Sequence, residues 1–271
     1  MAKLFDQNIS KRLVPIWHAA AVHLLNAEHR EDFNLVLEIE DPLSMAPDEL
    51  ERLKVVDSLM RAGTDCGLTL DTVASTIFPQ SMYKRHGRPA MYKKIEEALD
   101  RGGKVGTWGT YTERMISRPS SDGINRINPL EIMIEKLRAN VAARSSYRST
   151  YELNIADPEV DLIPIPDDGQ DGGDIPTYNP TFDARRPYGG PCLSNVSFKL
   201  VGKNSVNLTA VYRSHHYCSR ALGNLIGLAR LLNFVSIEAG LTPGSLTCIS
   251  TFATLDTNSW GGVSNARNAL A

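Results

Sequence analysis

A cysteine and an arginine flank the two strands of a predicted β-hairpin. Two runs of alternating apolar and polar residues, 196–200 and 206–212, are separated by Gly202-Lys203. This pattern is typical of antiparallel strands joined by a two-residue turn with glycine first. In that register Cys192 lies opposite Arg213 at the open end of the hairpin. A bulge or a different turn would shift the match by one or two residues.

The pairing of a thiol with a guanidinium has a specific chemical meaning. A nearby cation favours the thiolate, which is the nucleophilic form of cysteine. Arg213 can also donate two parallel hydrogen bonds to a phosphate. A cysteine beside a strand is most often a small buried apolar residue, however, so spacing alone leaves a packing role for Cys192 open.

Three further residues with ligand-type side chains, His215, His216 and Cys218, follow the hairpin. Neighbouring residues on a strand point to opposite faces, and no second cluster has the spacing of metal ligands. We therefore predict no metal site and expect at least one of the two histidines to line a pocket.

The elements that position these residues are predicted from periodicity and from helix-start and helix-stop signals. Strands are expected over 33–39, 147–155 and 245–255, in addition to the hairpin. A long apolar helix is expected over 221–239, with Gly240 at its end. The mixture of helices and strands without strict alternation predicts an α+β layered fold with a mixed sheet and a long buried helix. Further helices are expected over residues 13–27, 47–61, 71–78 and 90–99, and from Pro129 onward.

Composition excludes several classes of protein. The chain has 271 residues and a net charge of -2, so no global positive field attracts a nucleic-acid polymer. Four cysteines are too few for a disulfide scaffold. The N-terminus shows no secretory signal, and the helix over 221–239 is interrupted by polar residues. We therefore expect a cytoplasmic protein with a core helix rather than a membrane span. The basic run at residues 84–88 is expected to be a solvated loop.

The region over about residues 120–256 resembles the catalytic half of thymidylate synthases and the related pyrimidine hydroxymethylases. In that family a Pro-Cys precedes one strand and a second strand ends in Arg-Ser. A Gly-x-x-x-Asn segment then opens a long apolar helix, which is closed by Gly-Leu-x-Pro-Gly. The matching elements occur here in the same order, as Pro191-Cys192, Arg213-Ser214, Asn224 and residues 240–244.

The resemblance implies a covalent mechanism in a cytoplasmic homodimer. Cys192 would attack C6 of a pyrimidine nucleoside monophosphate, and C5 would then accept a one-carbon unit from methylenetetrahydrofolate. Arg213 would assist the thiolate and, with Ser214, hold the phosphate. Further phosphate-binding arginines would come from across the dimer interface, with Arg144 and Arg148 as the candidates.

The resemblance also bears on the choice of base. Asn224 would face the pyrimidine edge, where its carboxamide both donates and accepts hydrogen bonds. The related cytosine hydroxymethylases carry aspartate at this position, so asparagine favours a uracil-type base.

Departures from the family pattern affect the folate and sugar contacts. His216 stands where the family has an aspartate that contacts the pterin ring, and Thr254 and Asp256 replace a His-x-Tyr pair that binds the sugar. His216 remains a candidate for substrate binding. The first third of the chain shows neither an arginine-bearing phosphate loop nor a glutamate-containing helix. Ribose and deoxyribose therefore both stay open, as do methyl and hydroxymethyl products.

Two hypotheses follow. The first is an enzyme that methylates or hydroxymethylates C5 of a uracil-type nucleotide through a Cys192–C6 adduct. The alternative is a non-catalytic sensor or regulator that binds a pyrimidine nucleotide on the same fold. In either case we expect a single domain with a divergent, mostly helical part over 1–119, a core over 120–256 and a short tail over 257–271.

Overall fold

The computed structural model describes residues 1–63, 68–101, 109–119, 125–142, 152–154 and 191–271. The candidate arginines Arg144 and Arg148 lie outside these ranges, as do parts of the strand predicted over 147–155. Within the described residues the protein is α+β with a mixed sheet, as the sequence predicts.

A sheet of seven described strands forms the centre of the protein. Its order is β1-β2-β9-β7-β6-β5, and β8 pairs with β9 beyond the end of β7. The β1–β2, β7–β9 and β8–β9 pairs are parallel, whereas β2–β9, β6–β7 and β5–β6 are antiparallel. The strands are β1 (Lys3–Phe5), β2 (Glu31–Ile39), β5 (Glu152–Asn154), β6 (Leu193–Val201), β7 (Ser205–Tyr212), β8 (His215–His216) and β9 (Thr242–Thr254). Strands β3 (Arg118–Pro119) and β4 (Arg126–Ile127) form a separate pair.

Every predicted helix is present among the described residues, and three further helices were not predicted. They are α1 (Leu13–Asn26), α2 (Pro47–Ala62), α3 (Leu70–Ile77), α4 (Gln80–His86), α5 (Arg88–Asp100), α6 (Tyr111–Ile116), α7 (Pro129–Ala142), α8 (Leu222–Ala239) and α9 (Val263–Leu270). Short 3-10 turns cover Glu28–Arg30 and Thr257–Trp260, and a π-helical turn covers Tyr217–Ala221.

The long apolar helix α8 is the buried helix that the sequence predicts. It packs against α3, β7 and β9, and its residues are buried along most of its length. The segment Tyr217–Ala239 is long and apolar enough to cross a membrane, but 72% of its most apolar window is buried inside the protein. Gly240, at φ 70°, ends the helix in the left-handed conformation that glycine adopts easily.

The first third of the chain is mostly helical, and it also supplies two strands of the central sheet. Strand β2 covers the predicted strand over 33–39, whereas β1 was not predicted. The basic run over 84–88 is solvated over 84–87, but the prediction of a loop was wrong: it ends α4 and begins α5 with Arg88, which is 15% exposed and pairs with Glu131 and Glu238. The short segment over 257–271 contains α9, which packs against α1, and its Trp260 and Leu270 are buried.

Candidate active site

Cys192 lies at the open end of the β6–β7 hairpin, directly beside Arg213. The backbone N–H of Arg213 donates a hydrogen bond to the carbonyl oxygen of Cys192 at 2.9 Å. The predicted pairing is therefore confirmed, although the predicted turn was wrong. Val201 pairs with Ser205, so the connecting loop contains three residues rather than two.

The phenol of Tyr111, at the start of α6, fixes the backbone at the cysteine. Its oxygen accepts hydrogen bonds from the N–H groups of Cys192 at 3.2 Å and Leu193 at 3.3 Å. Thr110 caps α6, since its side chain accepts from the backbone N–H of Glu113 at 3.2 Å. Tyr111 is 6% exposed, and burial raises its pKa to about 12, so the phenol stays protonated.

The half-buried thiol of Cys192 is subject to opposing electrostatic effects. Burial raises its pKa above the ordinary value, and the positive charges of Arg213 and Arg220 lower it by less. The predicted effect of Arg213 on the thiol is therefore present, but desolvation outweighs it. Cys192 is not in a disulfide.

Asn224, in the first turn of α8, belongs to a buried polar network. Its Nδ2 lies 3.2 Å from Nε2 of His215, whose Nδ1 lies 2.9 Å from the hydroxyl oxygen of Ser250. All three side chains are almost wholly buried. The sequence does not reveal this network, because its members come from β8, α8 and β9.

A cavity of about 240 Å³ brings these side chains together. Of the predicted site residues it contains Cys192, Ser214, His216 and Asn224; Arg213 does not line it, although its charge reaches the thiol. The expectation that a histidine lines the pocket is confirmed. The other lining residues are Val73, Thr76, Gly109, Tyr111, His215 and Arg220. We call this the Cys192 cavity.

A second, more polar cavity of about 520 Å³ adjoins the first, with His216 and Arg220 in the walls of both. Arg30 reaches it from the turn that precedes β2, where His29 and Arg30 both have positive φ. Thr254 at the end of β9 also contributes. We call this the Arg30 cavity. Its cations give it the means to hold an anionic group.

The π-helical turn that carries Arg220 is anchored through the backbone of Cys218. The N–H of Cys218 donates to Oδ1 of Asp256 at 2.8 Å, and its carbonyl accepts from Nε1 of Trp260 at 3.0 Å. The side chain of Arg220 is exposed and lines both cavities. Sequence reasoning missed Arg220, although one signal exists: it occupies the glycine position of the Gly-x-x-x-Asn segment.

The residues that would contact a folate do not fit the pattern that the resemblance implies. The exposed His216 replaces the carboxylate expected to bind the pterin ring. Asp256 in the Arg30 cavity is already engaged, since its Oδ2 accepts from the Ser259 hydroxyl at 2.8 Å and its Oδ1 binds Cys218. The carboxylate that the resemblance implies is thus not present at position 216.

Comparison with known proteins supports the motif resemblance. No protein-family model matches the chain. It is 27% identical over 135 residues to a Methanococcoides burtonii protein named "Putative thymidylate synthase". The matched stretch covers 50% of this chain and 49% of that protein. Proteins of the same name from Methanosarcina barkeri and Methanosarcina mazei are each 35% identical over 75 residues, or 28% of this chain and 34% of each relative. The chain thus spans about half the length of the first relative and a third of the others. Over that part it is a divergent relative of proteins that carry the thymidylate synthase name, and the resemblance predicted from its motifs is confirmed.

Proposed function

We propose that the protein transfers a one-carbon unit to C5 of a pyrimidine nucleotide through a covalent adduct between Cys192 and C6. The observation that carries this proposal is the convergence of Cys192, Ser214 and Asn224 on one cavity. A half-buried thiol and an amide that reads a base edge are the groups that this chemistry needs.

The chain's own residues divide the work of adduct formation. The Cys192 thiol loses its proton to water, and the sulfur forms a bond to C6 as electron density moves to C5 and the O4 carbonyl. Tyr111 holds the backbone of the nucleophile in place through its two accepted hydrogen bonds. Arg213 and Arg220 stabilise the thiolate and the negative charge of the nucleotide.

The base and phosphate contacts complete the proposal. Asn224 contacts the N3–O4 edge of a uracil-type ring, and Ser214 with Arg213 contacts the phosphate. Arg30 and Arg220 place further positive charge in the adjoining cavity. Arg144 and Arg148 are proposed to act across a homodimer interface, in the site of the other copy.

The one-carbon donor follows from the chemistry at C5. Once C6 carries the sulfur, C5 is a carbon nucleophile and attacks an electrophilic one-carbon unit; loss of the C5 proton and of the thiolate then restores the ring. Transfer at the oxidation level of formaldehyde gives a hydroxymethyl group without a reductant: formaldehyde brings the hydroxyl oxygen, whereas a methylene unit released from tetrahydrofolate takes it from water. A methyl product would need a hydride donor in addition. Methylenetetrahydrofolate is the donor that the resemblance implies, and its use is tested against formaldehyde because His216 replaces the expected carboxylate.

Covalent trapping tests the proposal directly. The purified protein is incubated with 5-fluoro-UMP or 5-fluoro-dUMP, with and without methylenetetrahydrofolate, and analysed by intact and peptide mass spectrometry. We expect a mass increase of one nucleotide located at Cys192, absent in Cys192→Ser and retained in Lys203→Ala at the opposite end of the hairpin. Nucleotide binding by Cys192→Ser, measured by calorimetry, shows that this variant is folded. An unmodified Cys192 under all these conditions contradicts the adduct.

One observation favours a second function, a nucleotide-binding sensor or regulator without turnover. Burial raises the pKa of Cys192 despite two nearby arginines, which favours the unreactive thiol. This alternative predicts that Cys192→Ser binds UMP or dUMP as tightly as the wild type, and that no base is modified with formaldehyde or methylenetetrahydrofolate. A 5-hydroxymethyl or 5-methyl product would exclude it.

A further inference from the structure

His215 lies between two aromatic rings in the wall of the Cys192 cavity. It is 2% exposed, and its ring stacks on Tyr212 with 4.0 Å between centroids and 3° between planes. Tyr217 contacts it edge-on at 5.5 Å. The stacked aromatic contacts and the two polar partners together stabilise this orientation of the ring.

The hydrogen bonds of His215 define which nitrogen carries the proton. Burial lowers its pKa to about 3, so the ring is neutral, with one donor and one acceptor nitrogen. An amide nitrogen only donates, so Nδ2 of Asn224 donates to Nε2. The ring proton is therefore on Nδ1, which donates to the Ser250 hydroxyl.

This arrangement couples the orientation of the Asn224 carboxamide to the position of the ring proton. One of its two N–H groups is committed to His215, while its oxygen and second N–H are left for a ligand in the cavity. Turning the amide over would place its oxygen against Nε2. The proton would then have to move from Nδ1 to Nε2, and Ser250 would have to become the donor.

We propose that His215 is a positioning residue that holds Asn224 so that the site selects a uracil-type over a cytosine-type base. This inference rests on the proposed function, because it concerns the base at Asn224. Uracil presents a donor at N3 and an acceptor at O4, whereas cytosine presents an acceptor at N3 and a donor at N4. A carboxamide held in the orientation described above matches only one of these orders. A site built to pair with one pattern rejects the other because polar groups are left unpaired.

Two variants and one matched control test this role through binding selectivity. Ser250→Ala keeps the ring but removes the partner of Nδ1, and His215→Phe keeps the stacking on Tyr212 but removes both nitrogens. Ser236→Ala is the control, since Ser236 is buried on the helix that carries Asn224 and its hydroxyl donates to the Leu232 carbonyl, away from His215. Dissociation constants for UMP, dUMP, CMP and dCMP are measured by calorimetry for each protein.

We expect the wild type and Ser236→Ala to bind the uracil nucleotide more tightly. Ser250→Ala and His215→Phe should reduce the uracil-to-cytosine ratio by about tenfold, the value of one hydrogen bond. If the wild type binds uracil nucleotides and both variants keep its ratio, the inference is wrong while the proposed function stands. If the wild type binds no pyrimidine nucleotide, both fall.

A spectroscopic measurement tests the proton position independently of any ligand and of the stability of the variants. In nitrogen-15 spectra of the wild-type protein, we expect the His215 resonances of a neutral ring protonated at Nδ1. A ring protonated at Nε2 would overturn the proposed orientation of Asn224, whatever the binding data show.

Discussion

The amide of Arg213 bonds to the carbonyl of Cys192 because two irregularities in the hairpin cancel. The three-residue loop after Val201 shifts the strands by one residue relative to the predicted turn. A bulge at Ser194 shifts them back, so Leu193 again pairs with Tyr212. The bulge leaves Ser194 outside the pairing, and its hydroxyl bonds to the Val211 carbonyl at 3.2 Å. The thiol is thus positioned by a local distortion of the strand, a common device beside functional sites.

Replacing Tyr111 with phenylalanine tests the anchoring of the nucleophile. Tyr111→Phe removes the oxygen that accepts from the amides of Cys192 and Leu193. Loss of an acceptor for buried amides lowers the free energy of unfolding by about 1 to 3 kcal/mol. We also expect slower labelling of Cys192 by the fluoropyrimidine nucleotide, because the backbone that carries the thiol is less well fixed. Chemical denaturation and the rate of adduct formation are the measurements.

Tyr83→Phe is the matched control for this variant. The Tyr83 phenol donates to Glu238 at 2.7 Å and lines neither cavity. It should lose a similar amount of stability while Cys192 keeps its rate of labelling. Equal slowing in the two variants would mean that the effect of Tyr111 comes from general destabilisation.

The two arginines near Cys192 give a prediction about the pH dependence of its reactivity. Both positive charges lower the pKa of the thiol, Arg213 more than Arg220. Arg213→Gln and Arg220→Gln should therefore move the pH–rate profile for iodoacetamide alkylation of Cys192 to higher pH, the first by more. At pH 7 both variants should react more slowly, because less thiolate is present.

The control for the charge variants is Arg267→Gln, which removes an exposed arginine on α9 outside both cavities. Its profile should coincide with that of the wild type. Alkylation at Cys192 is followed by peptide mass spectrometry, so that the other cysteines do not contribute. Identical profiles for all three variants would contradict an electrostatic role of Arg213 and Arg220.

The parts of the fold that the sequence predicts are those with a strong local pattern. The alternation over β6 and β7 and the apolar length of α8 are enough to predict these elements, because the apolar residues of each element are the ones it buries. Strand β1 has only three residues and forms through its pairing with β2. Helix α4 has seven residues and was not predicted either. Such elements are stabilised by contacts distant in sequence, which periodicity does not show.

The sequence predicts those residues of the candidate site that belong to a family motif. The resemblance identifies Cys192, Ser214 and Asn224, and the structure brings these three together. It does not identify His215, because its partner Ser250 lies 35 residues away on β9. Nor does it identify Tyr111, whose phenol reaches Cys192 from 81 residues earlier. Contacts of this kind depend on how the sheet and helices assemble.

His215 predicts a pH dependence of stability with a definite sign. Its pKa is lowered from 6.5 to about 3 in the folded protein, so the unfolded state binds the proton more readily. Stability is therefore fully present above pH 6.5 and is lost as the pH falls towards 3. The slope from one such group approaches about 1.4 kcal/mol per pH unit. Urea unfolding at a series of pH values measures it.

His215→Phe should flatten this part of the stability profile, since phenylalanine takes up no proton. His29→Gln is the control, because its side chain is 82% exposed. It should leave the slope between pH 6.5 and 4 unchanged. If His215→Phe keeps the full wild-type slope, the buried neutral histidine does not account for the loss of stability in acid.

Gly227 allows α8 to lie close against α3, and this contact sets the wall of the Cys192 cavity. A Cβ at Gly227 would lie 2.7 Å from the Ala74 carbonyl oxygen and 2.9 Å from Cβ of Ile77. Backbone atoms in a packed helix have little room to move away, so Gly227→Ala should lower the free energy of unfolding by about 1 to 3 kcal/mol. Because α3 also carries Val73 and Thr76 into the cavity, displacement of α3 should weaken UMP or dUMP binding as well.

Ile237→Ala is the control, because Ile237 is exposed on α8; it should change neither the free energy of unfolding nor nucleotide binding. Calorimetry and urea unfolding of the two variants separate the effect of the close contact from that of any substitution in α8. A Gly227→Ala protein with the free energy of unfolding of the wild type would contradict the close-contact role of Gly227.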